Sequence, residues 1–181
     1  MTLKRAVAAA VFLAFANLAE VRAQAPPQPG PEHAILQRDV GTWDATVEAW
    51  LAPNTPPSIS KGVNEGRMLG GFWLLDDFRS EFLGQPFEGR GTTGYDAGKK
   101  KYVGTWVDSM SPGLNTSEST WDEKTKTLSG YNEGPGPDGK PTKARGVTQW
   151  PDADSKVFSM YAPTPDGKEF LMMRITYKRR K

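Results

Sequence analysis

Glycine and proline interrupt this chain every 8 to 12 residues, and that spacing limits the folds open to it. The sequence holds 19 glycines and 15 prolines. Between them, apolar and polar residues alternate in short segments. Alternation with a period of two is typical of half-buried strands, and even turn spacing is typical of a meander of short strands. The pattern therefore predicts an all-β protein.

The clearest alternation covers residues 42–51, where Trp43, Ala45 and Val47 share one face. Further strands are predicted at residues 59–69, 72–82, 89–95, 101–108, 116–121, 127–133, 143–150, 157–162 and 169–178. The connections are too short for the crossovers that parallel pairing needs, so the sheet is antiparallel. About ten strands in one sheet must curl, split or close. A closed up-and-down β-barrel fits the even spacing, and a two-sheet sandwich is the alternative.

The N-terminal segment has the features of an export signal. Lys4 and Arg5 precede an apolar run over residues 6–16, and cleavage after Ala23 or Ala25 fits the small-x-small pattern. The run is shorter than the roughly 20 residues that a membrane-spanning helix needs. We predict that residues 1–23 are a cleaved signal peptide, that the protein is periplasmic or secreted, and that it has no stable membrane insertion after cleavage.

The rest of the chain is predicted to be one domain behind a short linker. Residues 24–31 contain four prolines and form an extended linker. Residues 32–181 then form a single β-barrel domain, which opens with a short helix over residues 32–40.

Charge and composition exclude several classes of function. Without residues 1–23 the chain has 20 basic and 20 acidic residues, because Lys4, Arg5, Arg22 and Glu20 are removed from totals of 23 and 21. No basic excess is left to bind nucleic acid. The chain has no cysteine and one histidine, His33, at the predicted helix start, where we expect it to be exposed. We therefore expect no cofactor, no His/Cys metal site and no Ser-His-Asp triad.

Two segments resemble known barrel proteins. Gly41-Thr42-Trp43 follows the short helix and resembles the Gly-x-Trp start of calycin-type barrels, which include the lipocalins and fatty-acid-binding proteins. Residues 69–73 (LGGFW), 94–96 (GYD) and 100–110 (KKYVGTWVDSM) resemble the bacterial family called domain of unknown function 1579. The resemblance implies a calycin-like barrel and no established activity. It also implies that an arginine of the last strand, Arg174 or Arg179, packs across Trp43 and closes one end of the barrel.

Charged residues in phase with apolar ones mark a candidate site. Asp76 is in phase with Phe72, Leu74 and Phe78, Arg67 is in phase with Ile59 and Val63, and Arg174 is in phase with Phe170 and Met172. A buried charge without a partner costs several kcal/mol. These groups are therefore expected to pair across the interior or to face a cavity. Both arrangements predict contacts between arginine and carboxylate inside the barrel.

A second group of candidates lies at the end of the fifth predicted strand. Asp108 and Ser109 are expected either to bind a ligand at the barrel mouth or to cap an ordinary turn. Trp106, Met110 and Met172 supply apolar surface that suits a pocket or a plain core. The candidate ligand-binding residues are Arg67, Asp76, Trp106, Asp108, Ser109, Met110, Met172 and Arg174.

Three functions fit this pattern. The favoured hypothesis is a barrel that binds a small apolar or amphipathic molecule. The first alternative is a packed barrel that acts as a structural or interaction module without a ligand. The second is an enzyme that uses Asp76 as a buried proton carrier.

Overall fold

The computed structural model describes residues 26–136 and 139–181. The predicted signal peptide and the first two residues of the predicted linker lie outside this range. A short helix α1 (His33–Leu36) and a 3₁₀ turn (Gln37–Asp39) precede ten strands. The strands are β1 Gly41–Ala49, β2 Ser58–Leu69, β3 Trp73–Phe82, β4 Gln85–Asp96, β5 Lys101–Asp108, β6 Ser111–Asp122, β7 Thr127–Pro135, β8 Pro141–Asp152, β9 Ser155–Pro163 and β10 Glu169–Arg179.

The ten strands form a closed antiparallel barrel. Each strand pairs with its neighbours in the sequence, and β1 also pairs with β10. This confirms the predicted up-and-down barrel and excludes the two-sheet sandwich. Gly70 and Gly71 connect β2 to β3 at φ +60° and +77°, a backbone region that favours glycine.

Residues 33–39, here called the helical plug, cover the end of the barrel where β1 begins and β10 ends. Leu36 is 3% exposed and packs in one cluster with Leu74 and Tyr102. The Tyr102 hydroxyl donates a hydrogen bond to the Glu32 carbonyl at 2.8 Å. The predicted helix is therefore confirmed, although its α-helical part is only one turn long.

Arg179, and not Arg174, closes the barrel over Trp43. The Arg179 guanidinium lies 4.1 Å from the centre of the Trp43 ring and donates to the carbonyls of Val40 and Arg38 at 2.5 and 2.8 Å. The side chain of Arg174 is 44% exposed and lies 4.0 Å from Glu48. The prediction for Arg174 was wrong because a register shift between Leu171 and Met173 changes the phase of the last strand.

The prediction that Arg67 lies on the inner face of β2 was also wrong. Arg67 is exposed, and Asn64 and Gly66 are the buried residues of this strand. A Cβ atom on Gly66 would lie 2.3 Å from the Asp39 carbonyl oxygen of the helical plug. Gly66 therefore occupies a position on the inner face of β2 where the helical plug leaves no room for a side chain.

Candidate functional site inside the barrel

Five side chains form a buried charge cluster beneath the helical plug: Asp39, Asn64, Asp76, Lys156 and Tyr177. The Lys156 ammonium lies 2.7 Å from Asp39 Oδ1, and the two side chains are only 7% and 14% exposed. Trp150 Nε1 donates to the same Asp39 oxygen at 3.3 Å. The ammonium also lies 4.4 Å from the centre of the Tyr177 ring. Asp39 and Lys156 therefore neutralise each other and attach the plug to β9.

Asp76 is the second carboxylate of this cluster, as the phase of β3 predicted. Its Oδ1 accepts a hydrogen bond from Asn64 Nδ2 at 2.7 Å. No arginine contacts it within residues 26–136 and 139–181, so the expected pairing of Asp76 with an arginine was wrong. Burial raises the pKa of Asp76 to about 6, and the charge of Asp39 adds to the effect, whereas Lys156 opposes it. Asp76 is thus a carboxylate that the fold keeps in the interior without an ion pair.

The Tyr177 hydroxyl has no hydrogen-bond partner among the described residues, although Tyr177 is only 8% exposed. Every fully enclosed side-chain oxygen or nitrogen of the described chain does have a partner. The hydroxyl must therefore touch space that water can enter. Asp76 Oδ2 also has no hydrogen-bond partner among the described residues, so it too is accessible to water. Asp76 as a whole is half-buried. Burial raises the pKa of Tyr177 well above its usual range, so the hydroxyl keeps its proton.

A row of small polar side chains, here called the polar wall, continues this accessible space. The row consists of Asn115, Ser117, Ser119, Asn132 and Thr148. Directly paired residues share a face of a sheet, and Ser119 pairs with the buried Tyr102, which places the row on the inner face. All five residues are half-buried. Within the part of the chain that the structure describes, their side chains donate and accept no hydrogen bonds, so their polar atoms are accessible to water.

We call the interior between the charge cluster, the polar wall and an apolar wall the chamber. The apolar wall lies on the remaining strands of the inner face. It is formed by Phe78, Phe87, Trp106, Phe158 and Met173, and all but Phe78 are only partly buried. Trp106 lies across Gly89, where a Cβ atom would approach the indole ring to 2.1 Å. Only glycine fits at this position, because the ring leaves no room for a side chain. The glycine therefore allows the Trp106 ring to lie against the inner face of β4.

The other predicted site residues lie away from the charge cluster. Asp108 accepts hydrogen bonds from Trp106 Nε1 and the Met110 amide at 3.1 and 3.0 Å. Ser109 Oγ accepts from the Glu88 amide at 3.1 Å, and Met110 is 43% exposed. Met172 is half-buried at the register shift of β10. The bonds of Asp108 and Ser109 fit a turn at the end opposite the plug, and a role in ligand binding stays a prediction for all four.

His33 takes no part in this chamber. It is half-buried and packs edge-on against the rings of Phe72 and Tyr95, at 5.3 and 6.3 Å between ring centres. Its Nδ1 accepts a hydrogen bond from the Gly30 amide at 2.9 Å. The expectation that His33 is exposed was therefore wrong, and the residue anchors the start of the plug.

Two depressions, of about 280 and 330 Å³, lie on the outer surface of the barrel. The first contains the ion pairs of Lys101 with Glu118 and of Lys143 with Glu133. The second contains the ion pair of Arg90 with Asp77. Because these charges already satisfy one another, the unpartnered groups of the interior are the better candidate site.

Replacing Asp76 by asparagine should stabilise the protein at neutral pH. The unfolded chain loses the Asp76 proton near pH 3.8 and the native protein near pH 6, so the native state binds more protons in between. The wild type should thus lose stability as the pH rises through this window. At pH 7.5 we expect Asp76→Asn to be more stable by about 2–3 kcal/mol, and about equally stable at pH 3.5.

Urea unfolding of both proteins at pH 3.5 and 7.5 measures this difference. Asp77→Asn is the matched control, because Asp77 is the next residue on the strand and pairs with Arg90 at 2.7 Å on the outer face. Asp77→Asn should not be more stable than the wild type at pH 7.5. An Asp76→Asn variant whose advantage does not grow with pH would contradict the raised pKa.

Residues 28–179 of the sequence match the family described as Protein of unknown function (DUF1579). No curated protein matches the sequence. The crystal structure of Rv2717c from M. tuberculosis superposes with a TM-score of 0.61 at 10% identity and covers 85% of this chain and 100% of that chain. A redesigned β-barrel and a de novo designed fluorescence-activating β-barrel give TM-scores of 0.43 and 0.45 at 15% and 17% identity, covering 81% and 80% of this chain and 96% of each designed chain. The likeness to Rv2717c supports the barrel fold alone.

Proposed function

The chain belongs to the family described as Protein of unknown function (DUF1579), and we propose a function from the residues inside the barrel. The protein binds a small amphipathic molecule there. One observation carries this proposal. The polar side chains of the polar wall have no hydrogen-bond partner among the described residues, and their polar atoms are accessible to water. A packed core leaves almost no polar group in this condition.

The two walls suggest what kind of molecule fits. Partly buried aromatic rings such as Phe87, Trp106 and Phe158 offer apolar surface to a ligand. The polar wall and the charge cluster offer a few hydrogen-bonding groups that fix orientation. Mostly apolar sites with a few convergent polar groups are typical of small-molecule pockets. The end of the barrel opposite the helical plug is the entrance in this proposal.

Export is part of the proposal. The segment at residues 1–23 predicts that the binding protein acts in the periplasm or outside the cell. None of the described helices is long and apolar enough to cross a bilayer.

The neutral fluorescent probe N-phenyl-1-naphthylamine tests the chamber. We expect saturable binding of one probe per chain, seen as a rise in probe fluorescence. Ser117→Phe places a ring in the chamber and should weaken binding by about tenfold or more. Thr116→Phe is the matched control, because Thr116 is the preceding residue on β6 and is exposed.

Thermal melting of each variant shows whether it is folded before its affinity is compared. A folded wild type that does not bind the probe would refute the proposal. Equal loss of binding in both variants would place the probe elsewhere on the protein.

A proton-transfer enzyme is the second candidate, and Asp76 favours it. A partly accessible carboxyl whose pKa is about 6 can exchange a proton near neutral pH. Mass spectrometry of small molecules retained from a host extract discriminates the two functions. An enzyme should return a chemically altered compound that Asp76→Asn leaves unaltered, whereas a binding protein returns the same compound with both.

A further inference from the structure

The charge balance of the buried charge cluster leaves one negative group unmatched. Asp39 and Lys156 lie 2.7 Å apart and cancel each other. Asp76 has a hydrogen bond from Asn64 but no ion pair within the described residues. An ionised carboxylate in the interior is costly without a cation. The chamber therefore carries about one net negative charge whenever Asp76 is ionised.

The unmatched carboxylate is accompanied by accessible hydrogen-bonding atoms. Asp76 Oδ2 has no partner in the described chain, and neither does the Tyr177 hydroxyl, whose residue is 8% exposed. Phe78, two residues from Asp76 on β3, has its ring centre 6.4 Å from that of Tyr177. The charge of Asp76 also contributes to the raised pKa of Tyr177. A carboxylate oxygen and a phenol oxygen can both accept hydrogen bonds from an N–H group.

Aromatic rings surround the same position. A Cβ atom at Gly91 would lie 3.6 Å from Asp76 Cβ and 3.2 Å from Trp106 Cε3, so the carboxylate and the indole lie side by side over this glycine. Phe78 contacts both other rings, with its ring centre 6.5 Å from that of Trp106 and 6.4 Å from that of Tyr177. Aromatic faces attract cations, most strongly where water is excluded.

From these contacts we infer that the chamber takes a ligand whose head group is a positively charged nitrogen, held by Asp76 and Tyr177 beside Trp106. The inference rests on the proposed function and names the chemical class of its ligand. An organic amine with an apolar or aromatic body satisfies the carboxylate, the rings and the apolar wall together. The ionised Asp76 would repel a carboxylate ligand. Lys156 is the one cation of the described interior cluster, and it already pairs with Asp39.

Three amphiphiles with the same chain test the head group: dodecylamine, dodecanol and dodecanoate. Each is titrated against bound N-phenyl-1-naphthylamine at pH 7.5, below the critical micelle concentration of the two ionic amphiphiles and the solubility limit of dodecanol. We expect dodecylammonium to act at about tenfold lower concentration than dodecanol, and dodecanoate to be the weakest. Asp76→Asn should remove the advantage of dodecylammonium over dodecanol, and Tyr177→Phe should reduce it. Asp77→Asn on the outer face should retain it.

The pH dependence gives a second readout on the unmodified protein. The charges of Asp39 from the plug, Lys156 from β9 and Asp77 beside it on β3 act on the pKa of Asp76, and the charge of Asp76 acts on that of Tyr177 from β10. Protonation of Asp76 near pH 6 should reduce the preference for dodecylammonium at pH 5. A preference that is unchanged at pH 5 would contradict the assignment to Asp76.

Failure of the inference is distinguishable from failure of the proposed function. If the neutral probe binds but dodecylammonium and dodecanol displace it equally, the chamber exists and the charged head group is wrong. If the preference survives in folded Asp76→Asn, another group recognises the amine and the assignment is wrong. If the neutral probe does not bind at all, both proposals are refuted.

Discussion

Asp39→Ala should destabilise the protein by about 3–5 kcal/mol, because it removes the carboxylate that pairs directly with the buried Lys156 ammonium. Lys156 is 7% exposed, and the rings of Trp43 and Tyr177 lie 5.3 and 4.4 Å from the ammonium. Asp76 belongs to the same cluster but forms no ion pair with Lys156 among the described residues. Attraction to two rings does not replace a carboxylate at 2.7 Å. The substitution also removes the acceptor of the Trp150 indole N–H. Urea unfolding at pH 7.5 measures the loss.

Asp77→Ala is the control for this experiment, since Asp77 also lies 2.7 Å from its cationic partner. In that pair the Arg90 side chain is 77% exposed, and water replaces the lost contact. Exposed ion pairs contribute about 0–1 kcal/mol. The loss of unfolding free energy should therefore be severalfold larger for Asp39→Ala than for Asp77→Ala. A loss for Asp39→Ala no larger than for Asp77→Ala would mean that water reaches Lys156 and that the cluster is not closed by the plug.

The overall fold was predictable because its signals are local. Turn residues and alternation fix each strand, and short connections permit only antiparallel neighbours. Trp43, Ala45 and Val47 were expected to be buried, and they are 0%, 3% and 7% exposed. Closure into a barrel then follows from the number of strands, because ten strands leave two unpaired edges unless the first pairs with the last.

The phase of β2 was not predictable from apolar residues alone. Two of its large apolar residues, Ile59 and Leu69, lie on the outer face and are 63% and 55% exposed, whereas Met68 packs inward. The inner face also holds two glycines, since Gly62 faces the Phe78 ring and Gly66 faces the Asp39 carbonyl. Residues distant in the sequence fill this space, so the alternation of β2 gives no sign of which face is inside.

The site was only partly predictable for a related reason. Asp76 stood out because a charge interrupts an apolar face. Lys156 and Asp39 gave no such signal, because one follows a turn and the other lies in the short helical segment, where charges are ordinary. The polar wall was missed as well, since serine, threonine and asparagine are common on exposed faces of strands. Its role emerges only from the pairing of β6, β7 and β8 around the closed barrel.

Trp43→Ala should be the second strongly destabilising substitution, with a loss of about 3–5 kcal/mol. Trp43 is 0% exposed and joins three parts of the chain. Its indole N–H donates to the Asp39 carbonyl at 3.0 Å, and Arg179 stacks on its ring. Alanine would leave a large cavity, an unpaired Asp39 carbonyl and an arginine without its aromatic surface. Thermal and urea unfolding measure the loss.

Trp73→Ala provides the comparison, because Trp73 is 42% exposed and covers Gly94 from the outer face of β3. Its removal leaves a surface depression that water fills, so its cost should be well below that of Trp43→Ala. Trp43→Ala should also expose the plug end, so amide hydrogen exchange in residues 33–39 should accelerate more than in β5 and β6. Uniform acceleration across the barrel would show that Trp43 supports the sheet as a whole and does not specifically hold the plug against Arg179.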